Sequence, residues 1–152
     1  MTELTFAAGL VLLGVIIWLF ARHAGPTLNA RAPESCVPTG LNHSELINWL
    51  ENQEAALPIV AGAESRILLA SPSKDGKGLG PKGQDKKTPV SILHIHGFSA
   101  CRQETAPVAE QLAGRLSAHL VEVRLAGHGL ASQAMEASAE DWLQSVTDGM
   151  DL

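Results

Sequence analysis

The hydrophobic and polar positions of this chain follow three different rhythms. From Leu4 to Ala21 only Thr5 interrupts a continuous apolar run. Farther on, Leu46, Trp49, Leu50 and Leu57 recur at helical spacing, which predicts a helix from about His43 to Ala56, capped by Asn42 or Ser44 and ended by Pro58. Arg66 to Ala70 (RILLA) is a short strand. Val90 to His96 (VSILHIH) reads as a longer one, with Val90, Ile92, His94 and His96 on one face and Ser91, Leu93 and Ile95 on the other. Pro107 to Leu116 predicts a helix with proline in its first turn and Val108, Leu112 and Leu116 as its buried stripe. Leu120 to Leu125 predicts another strand, in which Val121, Val123 and Leu125 alternate with Glu122 and Arg124. A Gly-His-Gly turn ends it. Ser138-Ala139-Glu140-Asp141 fits a capping box, and Trp142, Val146 and Met150 continue the apolar face of a final helix.

Strand, helix, strand, helix at these intervals predicts an α/β fold with a parallel sheet and flanking helices. Ligands of such sheets bind beyond the carboxyl ends of the strands, where the segments HGFSA and AGHG lie. A sheet begun in this way leaves an open edge. The organisation expected is an anchor over residues 1–23, a Pro-, Gly- and Ala-rich tether over 24–42, and a domain over 43–152 that carries a flexible loop over 71–89.

The anchor is read as one transmembrane helix. As a helix, Leu4 to Ala21 spans about 27 Å at about 1.5 Å per residue, close to a hydrocarbon core of about 30 Å. Trp18 suits an interface, and Arg22 and His23 stop the run. A cleaved signal peptide wants positive charge before the run, where only Glu3 and the α-amino group stand; Ala30-Arg31-Ala32 lies too far beyond it. A buried core helix is disfavoured because no polar face appears. The expectation is therefore a single-pass N-terminal membrane protein with the lipid bilayer as a partner. Arg22 and Arg31 alone do not fix its orientation.

Composition narrows the chemistry. With a net charge of −5, six aromatic Phe and Trp residues and no Tyr, the 152-residue chain lacks the basic, stacking surface that nucleic acid needs. Cys36 and Cys101 make neither a disulfide framework nor a zinc spacing. Gly78, Gly80 and Gly83 match the dinucleotide fingerprint, but the match sits in the lysine-rich 71–89 loop and opens no helix. No cofactor is expected. His94 and His96 form an H-x-H pair that His128 can approach, yet no Asp or His follows closely, and hydrogen-bonded core imidazoles explain the spacing equally well. No metal is expected.

Three segments follow one another at fitting intervals: His96-Gly97-Phe98-Ser99-Ala100 after a strand, Leu125-Ala126-Gly127-His128-Gly129 after the next, and Asp141-Trp142 in the following helix. Over roughly residues 64–152 the chain thereby resembles the α/β-hydrolase superfamily, in its lysophospholipase and monoacylglycerol-lipase-like branch of serine esterases. Ala126 stands where that branch usually has proline. The resemblance implies a carboxylic-ester or lipid-acyl hydrolase that uses a serine nucleophile, a histidine base and an acyl-enzyme. It makes the Phe98 backbone N–H an oxyanion-hole donor, a kind of group whose loss typically costs about 3–4 kcal/mol of transition-state stabilisation. His96, Gly97, Gly127, His128 and Gly129 become the supporting loops, and a small ester or lipid the substrate. None of Ser99, Ser117, Ser132, Ser138 and Ser145 lies in a G-x-S-x-G elbow. The sequence is therefore expected to stop before the nucleophile, base and acid, and a non-catalytic, membrane-tethered binding module is the alternative.

Overall fold

The protein is described by a computed structural model in which residues 11–20, 22, 31–71, 79–80, 87–132 and 134–152 are defined. The residues fall into two units, Met1–Arg31 and Ala32–Leu152.

In the first unit residues 11–20 are helical, and the Arg22 guanidinium lies 5.4 Å from the Trp18 ring centroid. The expected transmembrane anchor is not sustained. Among the described residues no helix is long and apolar enough to cross a membrane. The expected single-pass membrane localisation falls with the anchor. Residues 1–10, 21 and 23, which belonged to that reading, lie outside the described residues, as do residues 24–30 of the expected tether.

The second unit builds an α/β arrangement. Its elements are α1 (His43–Glu54), β1 (Arg66–Ala70), β2 (Leu79–Gly80), β3 (Ser91–Ile95), α2 (Arg102–Thr105), α3 (Val108–Leu116), β4 (His119–Val123) and α4 (Ala139–Asp151). The sheet order is β2-β1-β4-β3. β3 and β4 are parallel, as a strand–helix–strand unit requires, but β1 runs antiparallel to β4 and the two-residue β2 antiparallel to β1. The sheet is therefore mixed rather than parallel. Local pattern marks RILLA as a strand but carries no sign of its direction. Leu79 and Gly80 also show that the expected 71–89 loop contains a short strand, while residues 72–78 and 81–86, including Gly78 and Gly83, are not among the described ones.

Register puts one row of side chains on each face. Ile67, Val121 and Leu93 align across β1, β4 and β3, and so do Leu68, Leu120 and Ile92 on the opposite face. The first row packs with Leu50 of α1, the neighbouring Leu46, Ile47 and Trp49, and Leu152. The second packs against Ala109 and Ala113 of α3. Helices thus cover both faces, and all five residues of β4 are buried. The alternation read for β4, with Glu122 and Arg124 outward, is corrected for this reason.

The stripe expected on α3 is inverted. Val108, Leu112 and Leu116 are exposed, and the face toward the sheet is Ala109, Ala113 and Gly114. Small side chains let the helix axis approach the strands, and bulkier ones have no room there. In α4 the buried residue is Gly149, while Met150 is exposed. Both long helices start as the sequence specifies. Asn42 caps α1 with Glu45 returning the bond, and Ser138 caps α4 with Asp141 doing the same. The end of the expected tether is docked: the Cys36 N–H donates to Asp148 Oδ1 at 2.7 Å and Val37 is buried.

Candidate functional site

The β3 and β4 strands run in parallel and end side by side, so the loops that follow them meet. The loop after β3 carries His96, Gly97, Phe98 and Ser99. The loop after β4 carries Leu125, Ala126, Gly127, His128 and Gly129. Two imidazoles tie them together. The Leu125 N–H donates to His96 Nε2 at 3.1 Å, and the Ser99 N–H donates to His128 Nε2 at 3.1 Å. Each ring therefore accepts at Nε2 and keeps its proton on Nδ1, where His96 faces the Gly97 carbonyl at 2.9 Å and His128 faces the Ala126 carbonyl at 3.1 Å.

Both rings are buried, and their centroids are 4.9 Å apart. Burial holds His96 below the ordinary histidine value; the Gly97 carbonyl opposes the shift, and the neighbouring His128, His94 and Arg124 further disfavour a positive charge there. With both ring nitrogens engaged, neither imidazole has a free nitrogen for a substrate proton. Their role is to set loop position.

Trp142 reaches in from α4. Its indole N–H donates to the Ala126 carbonyl at 3.0 Å, while the Ala126 N–H donates to Ser145 Oγ at 3.1 Å. Its ring sits 5.7 Å from His128 and 5.9 Å from Phe98, edge to face in both cases. Phe98 itself is 74% exposed. Among the described residues the Phe98 N–H donates no hydrogen bond, whereas the neighbouring Ser99 and Ala100 N–H groups are both engaged.

The glycines divide by need. Gly127 and Gly129 have φ of +74° and +63°, the left-handed region where a Cβ is costly. Gly129 also sits where a Cβ would come within 2.6 Å of the Ala63 Cβ. Gly97 has open space around it. In that loop the left-handed residue is Ser99, with φ +57°.

The expected site residues therefore come together: His96, Gly97 and Phe98 on one loop, Gly127, His128 and Gly129 on the other, and Trp142 beneath. Sequence reading missed the supports. Arg124, read as solvent-facing, reaches the His128 carbonyl with Nη1 at 3.1 Å and pairs through Nε with Glu54 of α1 at 3.0 Å. Glu54 in turn accepts from the Ser65 N–H and hydroxyl. The Val60 N–H to Gly129 carbonyl bond, at 2.8 Å, fastens the loop from the other side. A charged residue between the end of a strand and a glycine turn was the one signal that could have pointed to Arg124. His94 lies on β3 and bonds Thr105, so it does not join His96 and His128 in a ligand set. Among the described residues no group of three or more His, Cys, Asp or Glu is arranged to hold a metal ion.

No protein-family model, no curated protein and no solved structure matches this chain.

Proposed function

We propose that the paired loops at 96–100 and 125–129 are the oxyanion-binding side of a hydrolase acting on carboxylic esters, in the manner of the α/β-hydrolases that the sequence resembles. One observation carries the reading. Among the described residues the Phe98 N–H is unengaged while the Ser99 and Ala100 N–H groups that follow it are engaged, at the carboxyl end of a parallel strand and on a loop braced by two imidazoles. A backbone donor fixed in advance and not spent within the protein is what stabilising a developing oxyanion requires. Phe98 and Trp142 offer apolar surface next to it for the alkyl part of an ester. A G-x-S-x-G serine is not present in the 152 residues, so the reading assigns these loops the binding of the carbonyl oxygen and not the nucleophilic attack.

The test uses the whole 152-residue protein, isotope-labelled for NMR, titrated with a short alkyl phosphonate monoester whose anionic oxygen imitates the oxyanion. The Phe98 amide proton is expected to move downfield in a saturable way, with smaller changes at Ser99 and His128. If the Phe98 amide stays in place up to the solubility limit of the phosphonate, the reading fails.

A further inference from the structure

A second arrangement lies on the sheet face covered by α3, away from the two loops. Strand register aligns Arg66 of β1, Glu122 of β4 and His94 of β3 in one row. The Glu122 side chain has no exposed surface. Its Oε2 receives Arg66 Nε, and Arg66 Nη2 also binds Glu110 of α3. These carboxylates outweigh the effect of burial and hold the guanidinium above its ordinary pKa. Glu122 Oε1 is left over. It faces His94 Nδ1 at 3.7 Å, and these two are the buried side-chain polar atoms without a hydrogen-bond partner among the described residues. Across the same ring, His94 Nε2 lies 2.9 Å from the hydroxyl of Thr105, an exposed residue at the end of α2.

The Thr105 hydroxyl also reaches the Arg102 carbonyl, at a longer 3.4 Å, so the tautomer is decided on the Glu122 side of the ring. With the proton on Nε2, the Nδ1 lone pair would face a carboxylate lone pair, and both would stay unsatisfied. With the proton on Nδ1, that N–H is directed at Glu122 and Nε2 accepts from the Thr105 hydroxyl. We infer that Thr105, His94 and Glu122 form a hydroxyl–imidazole–carboxylate relay in which Thr105 is a nucleophile toward short acyl esters reaching it from solvent. The roles follow from position: Thr105 attacks, His94 takes its proton, and Glu122 is a positioning residue that steadies the imidazolium. The 3.7 Å gap is of the kind that closes when positive charge develops on the ring. α3 begins at Val108, shortly after Thr105, and its first-turn N–H groups have no side-chain cap, so the positive end of the helix dipole lies next in the chain to the attacking oxygen.

In the first half-reaction the Thr105 Oγ1–carbonyl bond forms, the ester C–O bond breaks, and the Oγ1 proton passes through His94 Nε2 to the departing alkoxide. In the second, water gives its proton to His94 and its oxygen to the acyl carbon, and the Thr105 oxygen leaves and takes the proton back. Nothing is oxidised or reduced. Arg66 fixes Glu122, Glu110 holds Arg66 in turn, and neither touches a reactant. The inference does not depend on the oxyanion reading of Phe98.

The test is labelling of the whole protein with an alkyl fluorophosphonate, followed by peptide mass spectrometry. The Thr105 Oγ1–P bond would form as P–F breaks, with fluoride leaving and the proton held by His94. An adduct on Thr105 is expected, retained in Thr105→Ser, absent from that peptide in Thr105→Val, and formed at least about 100-fold more slowly in His94→Gln. A downfield His94 Nδ1–H resonance is expected in the NMR spectrum and lost in Glu122→Gln. No Thr105 adduct in folded protein, as judged by circular dichroism, or an unchanged rate in His94→Gln, overturns the inference whatever the phosphonate titration shows.

Discussion

The Ser99 backbone N–H and His128 Nε2 are 3.1 Å apart, and that one hydrogen bond sets the spacing of two loops 29 residues apart in sequence. Since His128 also donates to the Ala126 carbonyl and packs against Trp142, a single ring anchors three segments.

Removing that ring has a defined cost. His128→Ala leaves the Ser99 N–H unpaired and opens a cavity beside Trp142. It should lower the unfolding free energy by about 2–4 kcal/mol, read from the urea midpoint.

Two glycines should respond differently to alanine. At Gly149 a Cβ would come within 2.5 Å of Val123 Cγ2 and 3.1 Å of Leu93 Cδ1. Overpacking of this kind costs about 1–3 kcal/mol, which exceeds the gain of about 1 kcal/mol in helix propensity. Gly149→Ala is therefore expected to destabilise. At Gly97 a Cβ meets nothing within 4 Å, so Gly97→Ala should change stability by no more than about 0.5 kcal/mol. Urea unfolding of both variants checks the contrast.

The buried row around Glu122 gives a third test. Glu122→Leu leaves a partly buried Arg66 with only Glu110 and should cost about 3–5 kcal/mol; Arg66→Met combined with Glu122→Leu should recover most of that loss. A double-mutant cycle by thermal unfolding measures the difference. A fully additive double variant would show that the two side chains are not coupled.

Acid should loosen the loop pair. His96 is held neutral in the fold, below its ordinary value of 6.5. The unfolded chain therefore binds more protons in the acid range, and stability rises with pH there. The stabilisation is complete above about pH 6.5 and is lost as pH falls through that value toward the lower native one. Unfolding midpoints followed downward from neutral pH should fall in this window, and less so in His96→Gln.

Some of this was legible in the sequence and some was not. Caps are local, so Asn42 and Ser138 announce the starts of α1 and α4 directly. HGFSA and AGHG could be placed together because the parallel pairing of β3 and β4 follows from a helix between two strands. What local pattern could not supply was space. It ranks Val108, Leu112 and Leu116 above Ala109 and Ala113 as core, yet the close approach of α3 to the sheet admits only the small residues. It assigns Glu122 to solvent because it assumes one wet face, while helices cover both. The apolar run at the N-terminus suggested a span by its length, but among the described residues no helix is long and apolar enough to cross a membrane. The Arg124–Glu54 pair spans 70 residues and leaves no trace in either segment.

Glu122 has a neighbour on each side in the sheet, Arg66 on β1 and His94 on β3, at matched positions. A slip of β4 by one residue would turn this carboxylate to the opposite face, toward the aliphatic layer formed with α1. Misalignment would then expose itself as a charge stranded in hydrocarbon, which is far costlier than a mismatched pair of aliphatic side chains. One acid in the middle strand thus acts as an indexing pin, letting three strands of different direction and sequence distance find a single alignment.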